Sequence, residues 1–205
     1  MYEEIDGNNR KQKVKCFASQ PKYILNKNLL RIKVNIKKLR FPVPSNLSKK
    51  LSDLKIVSVI RKSKHVIIKF ENYLFLIIHL GMSGTLHLTK KSINLKDTNL
   101  SFYHSKNLPK KHNHIFFYFK DFVIIFNDPR RFGYLKLVKG QYNLDNYFKK
   151  FGPEPLEKKF NFSYLKKYLQ KKTKNIKNTL IDQSSVSGIG NIYASEILYL
   201  CKINP

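Results

Sequence analysis

Short, apolar, strand-like segments follow one another from residue 28 to residue 138, and this pattern restricts the fold more than any other feature. From Leu30 to Ile36, apolar residues alternate with polar ones, which is the period of a strand with one buried face. Further segments of this kind are Ile56–Ile60, His65–Phe70, Leu74–His79, Thr85–Leu88, Ile115–Phe119, Phe122–Phe126 and Tyr134–Val138. Short polar turns at Glu71–Tyr73 and Lys120-Asp121 predict two hairpins. Because no helical pattern separates the strands, we expect an antiparallel sandwich or barrel.

The apolar spacing becomes helical in the last third of the chain. Three helical faces are indicated, by Phe162, Leu165 and Leu169, by Ile176 and Leu180, and by Ala194, Ile197, Leu198 and Cys201. Asn161 and Thr173 are predicted N-caps, and Asn191 is expected just before the last helix. The Gly152–Pro155 segment, rich in glycine and proline, is predicted to be a hinge.

The predicted fold class is therefore α+β, with an antiparallel β-sandwich domain followed by a helical domain. We expect an atypical N-terminal segment over 1–19, the β domain over 20–140, a linker over 141–152 and the helical domain over 153–205. The polar, His- and Lys-rich segment Leu88–Lys111 is predicted to be a long loop.

The net charge of +27 favours a polyanionic partner, with nucleic acid ahead of an anionic membrane surface. A compositional bias toward lysine would explain part of this excess. The first fifteen residues are too polar for a signal peptide, and the longest apolar stretch is too short to span a bilayer. Cys16 and Cys201 are too few for a disulfide framework or a four-cysteine metal site. We expect a cytoplasmic protein that faces nucleic acid.

Two of the six arginines are adjacent, within the sequence Asp128-Pro129-Arg130-Arg131-Phe132-Gly133, whereas lysine provides the other 34 positive side chains. Guanidinium groups are planar, rigid and bidentate, and lysine is a point charge on a flexible stem. Two interpretations are open. The segment either recognises a planar ligand, or it is a turn with two solvated arginines.

Two glycine-containing loops are further candidates. Met82, between Gly81 and Gly84, either acts as a wedge between base pairs or fills a gap in the core. The segment Ser187–Asn191 either forms a phosphate-binding corner at a helix N-terminus or simply connects two helices. A basic run precedes it and is either a DNA-backbone contact or a solvated face: Lys166, Lys167, Lys171, Lys172, Lys174 and Lys177.

Two basic side chains of the β region also have open roles. Lys64 is either one more surface lysine or a lysine directed at a scissile phosphate. His112 and His114 are too closely spaced and too isolated to indicate a metal site. They contact phosphate or are merely exposed at the start of a strand.

Four motifs occur in one order: His79–Gly84, Asp128–Gly133, Gly152–Leu156 and Gly188–Glu196. Together they resemble the bacterial formamidopyrimidine-DNA glycosylase family, which removes oxidised purines from DNA. Arg40–Val43 also fits the early strand region of that family. The resemblance runs from about Gln20 to Pro205, and four motifs in order make it specific.

The resemblance implies a two-layer β-sandwich joined to a helix–two-turn–helix domain that binds damaged double-stranded DNA as a monomer. It implies base flipping, excision of 8-oxoguanine and formamidopyrimidines, and nicking of abasic sites by Schiff-base elimination. Matched to the family, Lys64 is a catalytic residue that contacts the phosphate beside the lesion. Met82, Arg130 and Phe132 fill the vacated space, with Arg130 facing the orphaned base. The implied phosphate contacts are His112, Lys172 and Asn191.

Both ends of the chain depart from the family pattern. The family begins with Pro-Glu, whose proline amine attacks the sugar, whereas this chain begins Met1-Tyr2-Glu3. The family continues into a four-cysteine zinc finger, and this sequence ends at Pro205. We therefore expect no cofactor in this chain. The alternative functions are a catalytically impaired protein that binds damaged DNA and a basic RNA- or ribosome-binding protein.

Overall fold

The strand-like segments form two four-stranded antiparallel sheets. A computed structural model describes residues 23–90, 110–170 and 172–205. Sheet one contains, in spatial order, β1 (Arg31–Val34), β6 (Asn113–Tyr118), β7 (Phe122–Asn127) and β5 (Thr85–Lys90). Sheet two contains β2 (Ile56–Lys62), β3 (His65–Phe70), β4 (Leu74–His79) and β8 (Tyr134–Lys139). The predicted α+β fold with an antiparallel sandwich is confirmed.

Both predicted hairpins are confirmed. Strands β3 and β4 pair antiparallel around Glu71–Tyr73, a 3₁₀ turn in which Asn72 and Tyr73 have left-handed φ values of 61° and 55°. Strands β6 and β7 pair antiparallel around Lys120-Asp121. Left-handed residues allow a connection this short to reverse the chain.

The core of the sandwich lies between the sheets. Phe117, Ile124 and Phe126 of sheet one and Ile68 and Leu76 of sheet two belong to one buried cluster. Burying each such side chain contributes about 1.5–3 kcal/mol. The alternation along β7, where Phe122, Ile124 and Phe126 are buried, follows the two-residue period of the sequence.

Five α-helices accompany the strands in the part of the chain that the structure describes. They are α1 (Leu47–Leu51), α2 (Gln141–Phe148), α3 (Phe162–Leu169), α4 (Ile176–Ile181) and α5 (Asn191–Leu200). The last three confirm the predicted helices, although Phe162, Ile197 and Cys201 of the predicted apolar faces are exposed. Helices α1 and α2 were not predicted. The chain divides into two compact units between Leu144 and Asp145.

The helix starts confirm one predicted cap and correct two others. Asn161 caps α3, because its side chain accepts a hydrogen bond from the Tyr164 amide at 2.9 Å. Thr173 is not a cap, and Asn175 caps α4 by accepting from the Asn178 amide at 2.8 Å. Asn191 is the first residue of α5 rather than its predecessor, and Gly190 occupies the cap position.

The predicted loop Leu88–Lys111 is shorter than expected at both ends. Strand β5 continues to Lys90, and a 3₁₀ turn covers Lys110–His112. Residues 91–109 lie outside the described residues. None of the described helices is long and apolar enough to cross a membrane.

His87 on β5 is expected to make the fold sensitive to acid. Its Nε2 lies 2.5 Å from Thr85 Oγ1, and burial lowers its pKa from 6.5 to about 4. As the pH falls, the unfolded chain therefore protonates His87 before the folded chain does. The contribution of His87 to the free energy of unfolding is fully present above pH 6.5 and is lost as the pH falls toward 4. Replacing His87 with Gln should reduce this loss by up to about 3 kcal/mol, measured by urea unfolding at neutral and acidic pH. Equal acid losses in both proteins would contradict the prediction.

Candidate nucleic-acid interface

The topology collects the predicted residues of the first unit at one end of the sandwich. In sheet two, His65 pairs with His79 and His79 pairs with Tyr134, so the ends of three strands lie side by side. In sheet one, Asn127 pairs with both Asn113 and Thr85. The loop Leu80–Gly84 (the wedge loop) and the turn Asp128–Gly133 (the arginine turn) each cross from one sheet to the other at this end.

Each predicted residue of this unit occupies a connection at that end. Lys64 lies in the turn between β2 and β3 and is half-buried. Met82 is in the wedge loop, Arg130 and Phe132 are in the arginine turn, and His112 closes the 3₁₀ turn before β6. These five residues are spread over some seventy positions of the sequence. They lie at one end of the unit because the chain reverses direction between antiparallel strands and so comes back to that end.

Gly81 allows the wedge loop to approach the arginine turn closely. Its φ is +63°, in the left-handed region. A Cβ at this position would lie 2.5 Å from Gly133 N and 2.8 Å from Phe132 O. Only a glycine fits both the backbone conformation and the contact. The two loops are therefore packed backbone to backbone.

A buried carboxylate joins the two loops. Asp128 is completely buried. Its Oδ1 accepts a hydrogen bond from Ser83 Oγ at 2.5 Å, and its Oδ2 accepts from Gly133 N at 2.8 Å. Ser83 Oγ in turn accepts from Arg130 N at 3.2 Å. A chain of directed hydrogen bonds thus runs from the Arg130 amide through the Ser83 hydroxyl to the Asp128 carboxylate.

The backbone of Asp128 also holds the segment before β6. Its amide donates to His112 O at 3.1 Å, and its carbonyl accepts from His114 Nε2 at 2.9 Å. Burial lowers the pKa of His114 more than this hydrogen bond raises it. A neutral ring with its proton on Nε2 is consistent with both effects. His114 is therefore a buried structural residue, and neither of the two roles considered for it applies.

Met82 of the wedge loop and Arg130 and Phe132 of the arginine turn have exposed side chains. Arg130 Cζ lies 4.7 Å from the centroid of the Phe132 ring, so the guanidinium stacks on the ring. Phe132 is 44% exposed and Met82 is 48% exposed. The interpretation of Met82 as a core filler is therefore wrong. Arg131, with a left-handed φ of 54°, turns the backbone between the stacked pair.

Arg40 and Phe41 border the arginine turn, although the sequence assigned them no role. The Arg40 amide donates to Gly133 O at 3.0 Å, and the Phe41 ring packs edge-on against Tyr134 at 5.3 Å. Both side chains are exposed. A basic residue next to an aromatic one was the signal in the sequence that could have marked them as candidates. It does not show which segment they border, because the arginine turn lies about ninety residues later in the chain.

In the second unit, one glutamine organises the turn between α4 and α5. Gln183 Oε1 accepts from Gly188 N at 2.9 Å, and its Nε2 donates to Ile181 O and Ile189 O, both at 2.8 Å. The predicted hinge segment is attached to the same turn, because Gly152 N donates to Gln183 O and Pro153 O accepts from Ser187 N, both at 2.9 Å. The Gly188–Asn191 corner is thus supported by side-chain and backbone bonds.

Lys172 and Asn191 lie on the surface of this second unit. Lys172 Nζ stacks over the Tyr168 ring at 4.7 Å. Hydrogen bonds from the amide and hydroxyl of Ser184 lower the pKa of Asp182, and the charges of Lys174 and Lys172 lower it further. Asn191 begins α5, whose first internal hydrogen bond runs from Ala194 N to Gly190 O. The Asn191 amide thus precedes the hydrogen-bonded turns, where helix amides point outward. Lys171 lies outside the described residues.

The residues present do not fit the zinc site of the family that the sequence resembles. It requires four cysteines, and this sequence has two, of which Cys201 is exposed. No cluster of three potential metal ligands occurs among the described residues.

Comparison with known proteins gives the same two-part division. The formamidopyrimidine-DNA glycosylase N-terminal domain matches residues 14–135, and the H2TH domain of the same enzymes matches residues 151–205. The formamidopyrimidine-DNA glycosylase of Zymomonas mobilis is 38% identical over 184 residues, and that of a Wolbachia from Brugia malayi is 36% identical over 183. Each alignment covers 89% of this chain and 62% of the relative.

The structures agree with the sequences. Lactococcus lactis Fpg in complex with DNA containing an abasic site has a TM-score of 0.78 at 29% identity, over 94% of this chain and 67% of that one. The same protein with Fapy-dG-containing DNA also gives 0.78.

A β-sandwich unit with exposed loops at one end, followed by a helix–two-turn–helix unit, defines the architecture of a class of DNA-repair proteins. This chain belongs to the formamidopyrimidine-DNA glycosylase family. It spans about 62% of the length of the curated relatives that it matches.

The close approach at Gly81 predicts a large effect of one methyl group. Gly81→Ala should lower the free energy of unfolding by roughly 3 kcal/mol, because it adds a backbone clash to a left-handed φ. Gly140→Ala is the matched control, since Gly140 has a φ of +83° but open space around its Cβ. The control should cost only about 1 kcal/mol in the same urea titration. Equal costs would mean that the loops are not in contact.

Proposed function

We propose that this chain binds damaged double-stranded DNA as a monomer, flips oxidised purines out of the helix, excises them and nicks the resulting abasic sites. The observation that carries the proposal is the joint exposure of Met82 and the stacked Arg130–Phe132 pair on two interlocked loops. An apolar wedge beside a bidentate donor suits the gap that a flipped base leaves. Relatives solved with abasic-site and Fapy-dG-containing DNA support the same substrate class.

Each of the site residues has a separate role in this function. Met82 and Phe132 enter the vacated space and keep the neighbouring base pairs apart. Arg130 faces the orphaned base, where its planar fork makes paired hydrogen bonds. His112, Lys172 and Asn191 contact phosphates, and the net charge of +27 supplies salt-dependent affinity for the rest of the duplex. Arg40 and Phe41, which border the arginine turn, contact the same DNA.

Lys64 is the catalytic residue in this function. It lies in the β2–β3 turn beside the end of β4, and therefore beside the start of the wedge loop. A protein amine displaces the damaged base from C1′ of the sugar and forms the Schiff base; loss of a proton from the sugar then expels the phosphate. In this position the Lys64 ammonium group contacts that phosphate and stabilises the charge that develops on it. The reaction takes place on chromosomal DNA in the bacterial cytoplasm.

Loss of the stacked pair should remove lesion preference but leave general DNA affinity. We expect Arg130→Ala and Phe132→Ala each to weaken binding to a duplex with an abasic-site analogue by about tenfold, measured by fluorescence anisotropy. Binding to the undamaged duplex should change little. Arg31→Ala is the matched control, because Arg31 stacks on Tyr118 at 4.2 Å at the opposite end of sheet one. If all three variants weaken both duplexes equally, the binding is nonspecific charge attraction.

The chemistry is tested with a duplex that contains 8-oxoguanine. Borohydride should trap a covalent protein–DNA adduct, and the strand should be nicked. Lys64→Ala should slow nicking by about a hundredfold. The control Lys55→Ala, which replaces an exposed lysine just before the other end of β2, should leave the nicking rate unchanged. Salt-sensitive binding to damaged DNA without adduct or nick would instead favour a binding protein of this family.

A further inference from the structure

We infer that Ser83 and Asp128 form a positioning pair that makes the wedge loop and the arginine turn act on DNA as one rigid unit. The inference rests on the proposed function, since it assigns to these residues the alignment of Met82 with Arg130 and Phe132. Neither Ser83 nor Asp128 touches the DNA. Both act through the side chains that do.

The Ser83 hydroxyl connects the wedge loop to the arginine turn. Ser83 Oγ donates to Asp128 Oδ1 at 2.5 Å and accepts from Arg130 N at 3.2 Å. It thus uses both its donor and one acceptor site on a turn that lies more than forty positions away in the sequence. Hydrogen bonds that end on a carboxylate are shorter and stronger than neutral ones. This hydroxyl therefore sets the angle of the wedge loop relative to the Arg130 backbone.

Asp128 is itself held by burial and by hydrogen bonds of its side chain and backbone. It is completely buried, its second oxygen accepts from Gly133 N at 2.8 Å, and its backbone bonds to His112 and His114 on β6 and the turn before it. Moving this carboxylate would leave a buried charge without its donors, which is strongly unfavourable. The Ser83 hydroxyl is therefore anchored on the buried first residue of the arginine turn, which backbone hydrogen bonds hold to the sandwich.

The Ser83 hydrogen bonds and the Gly81 contact have different effects on the two loops. The Gly81 contact prevents the loops from moving closer, but a van der Waals contact does not fix direction. The Ser83 link does, because hydrogen bonds lose strength steeply when their angle departs from linear. Ser83 is only half-buried, and the Gly133 bond to Asp128 does not depend on it. Removing its hydroxyl should therefore loosen the loops without unfolding the sandwich.

The free protein offers a direct measurement, because the chain contains no tryptophan. Phe132→Trp introduces a single reporter in the arginine turn. Adding Ser83→Ala should increase quenching of this tryptophan by acrylamide by about twofold and lower its anisotropy, since the turn gains local freedom. Ser83→Thr, which keeps the hydroxyl, should restore both values. Ser52→Ala is the matched control, because it removes a half-buried hydroxyl that bonds to the Ser48 hydroxyl in the same unit.

The second measurement uses Ser83→Ala in the otherwise unchanged chain. Its preference for a duplex with an abasic-site analogue over the undamaged duplex should fall by about tenfold, while affinity for the undamaged duplex is retained. Asp128→Asn tests the same link from its other end and, if it folds, should show the same loss. A double variant no worse than the single ones would show that the two residues act as a pair.

The outcomes are distinct. Unchanged quenching and unchanged preference in Ser83→Ala would overturn the positioning pair, as would an equal effect of Ser52→Ala. If the unaltered chain shows no preference for damaged DNA, the proposed function fails. The fluorescence of the free protein then decides alone whether Ser83 and Asp128 hold the two loops together.

Discussion

The Asp128 carboxylate is the constraint on which the interface of the first unit depends. A fully buried charge is tolerated only when its oxygens are bonded, and here the partners are the Ser83 hydroxyl and the Gly133 amide. Through its backbone the same residue fixes the His112 segment. Three chain segments meet at one residue because each supplies a group that the buried aspartate requires. The exposed side chains above it take their positions from this arrangement.

The second unit solves a similar problem with a neutral side chain. The amide of Gln183 both donates and accepts, so one glutamine bonds to both sides of the turn that leads to Asn191. In both units a polar side chain orders a loop, and the loop carries the residues to which we assign contacts with DNA. Such loops are held without the need for regular secondary structure.

The charge of the chain and the placement of its arginines have different consequences. In the proposed complex with DNA, the thirty-four lysines spread over the sequence provide attraction to phosphate that depends on salt and not on sequence or damage. Arg130, stacked on Phe132 and bonded through its amide to Ser83, is held in one place. In the proposed function, this fixed position allows the Arg130 side chain to distinguish an orphaned base from an intact pair. The proposed function thus assigns affinity and selectivity to separate residues.

The sequence by itself determined the strands, such as Leu74–His79, and the helices around Leu165, Leu180 and Leu198, because apolar period is a local property. It also identified Met82 and Arg130 as candidates, but left their exposure open. Helix α2 was not predicted, although Leu144 and Phe148 have the i, i+4 spacing of a helix, because one apolar pair in a short polar segment is a weak signal and only the fold buries it. The Ser83–Asp128 pair was equally invisible, since residues 45 positions apart meet only when two sheets bring their ends together. Tertiary structure alone decided that contact, because burial of a carboxylate and the direction of a hydrogen bond are properties of neighbours in space.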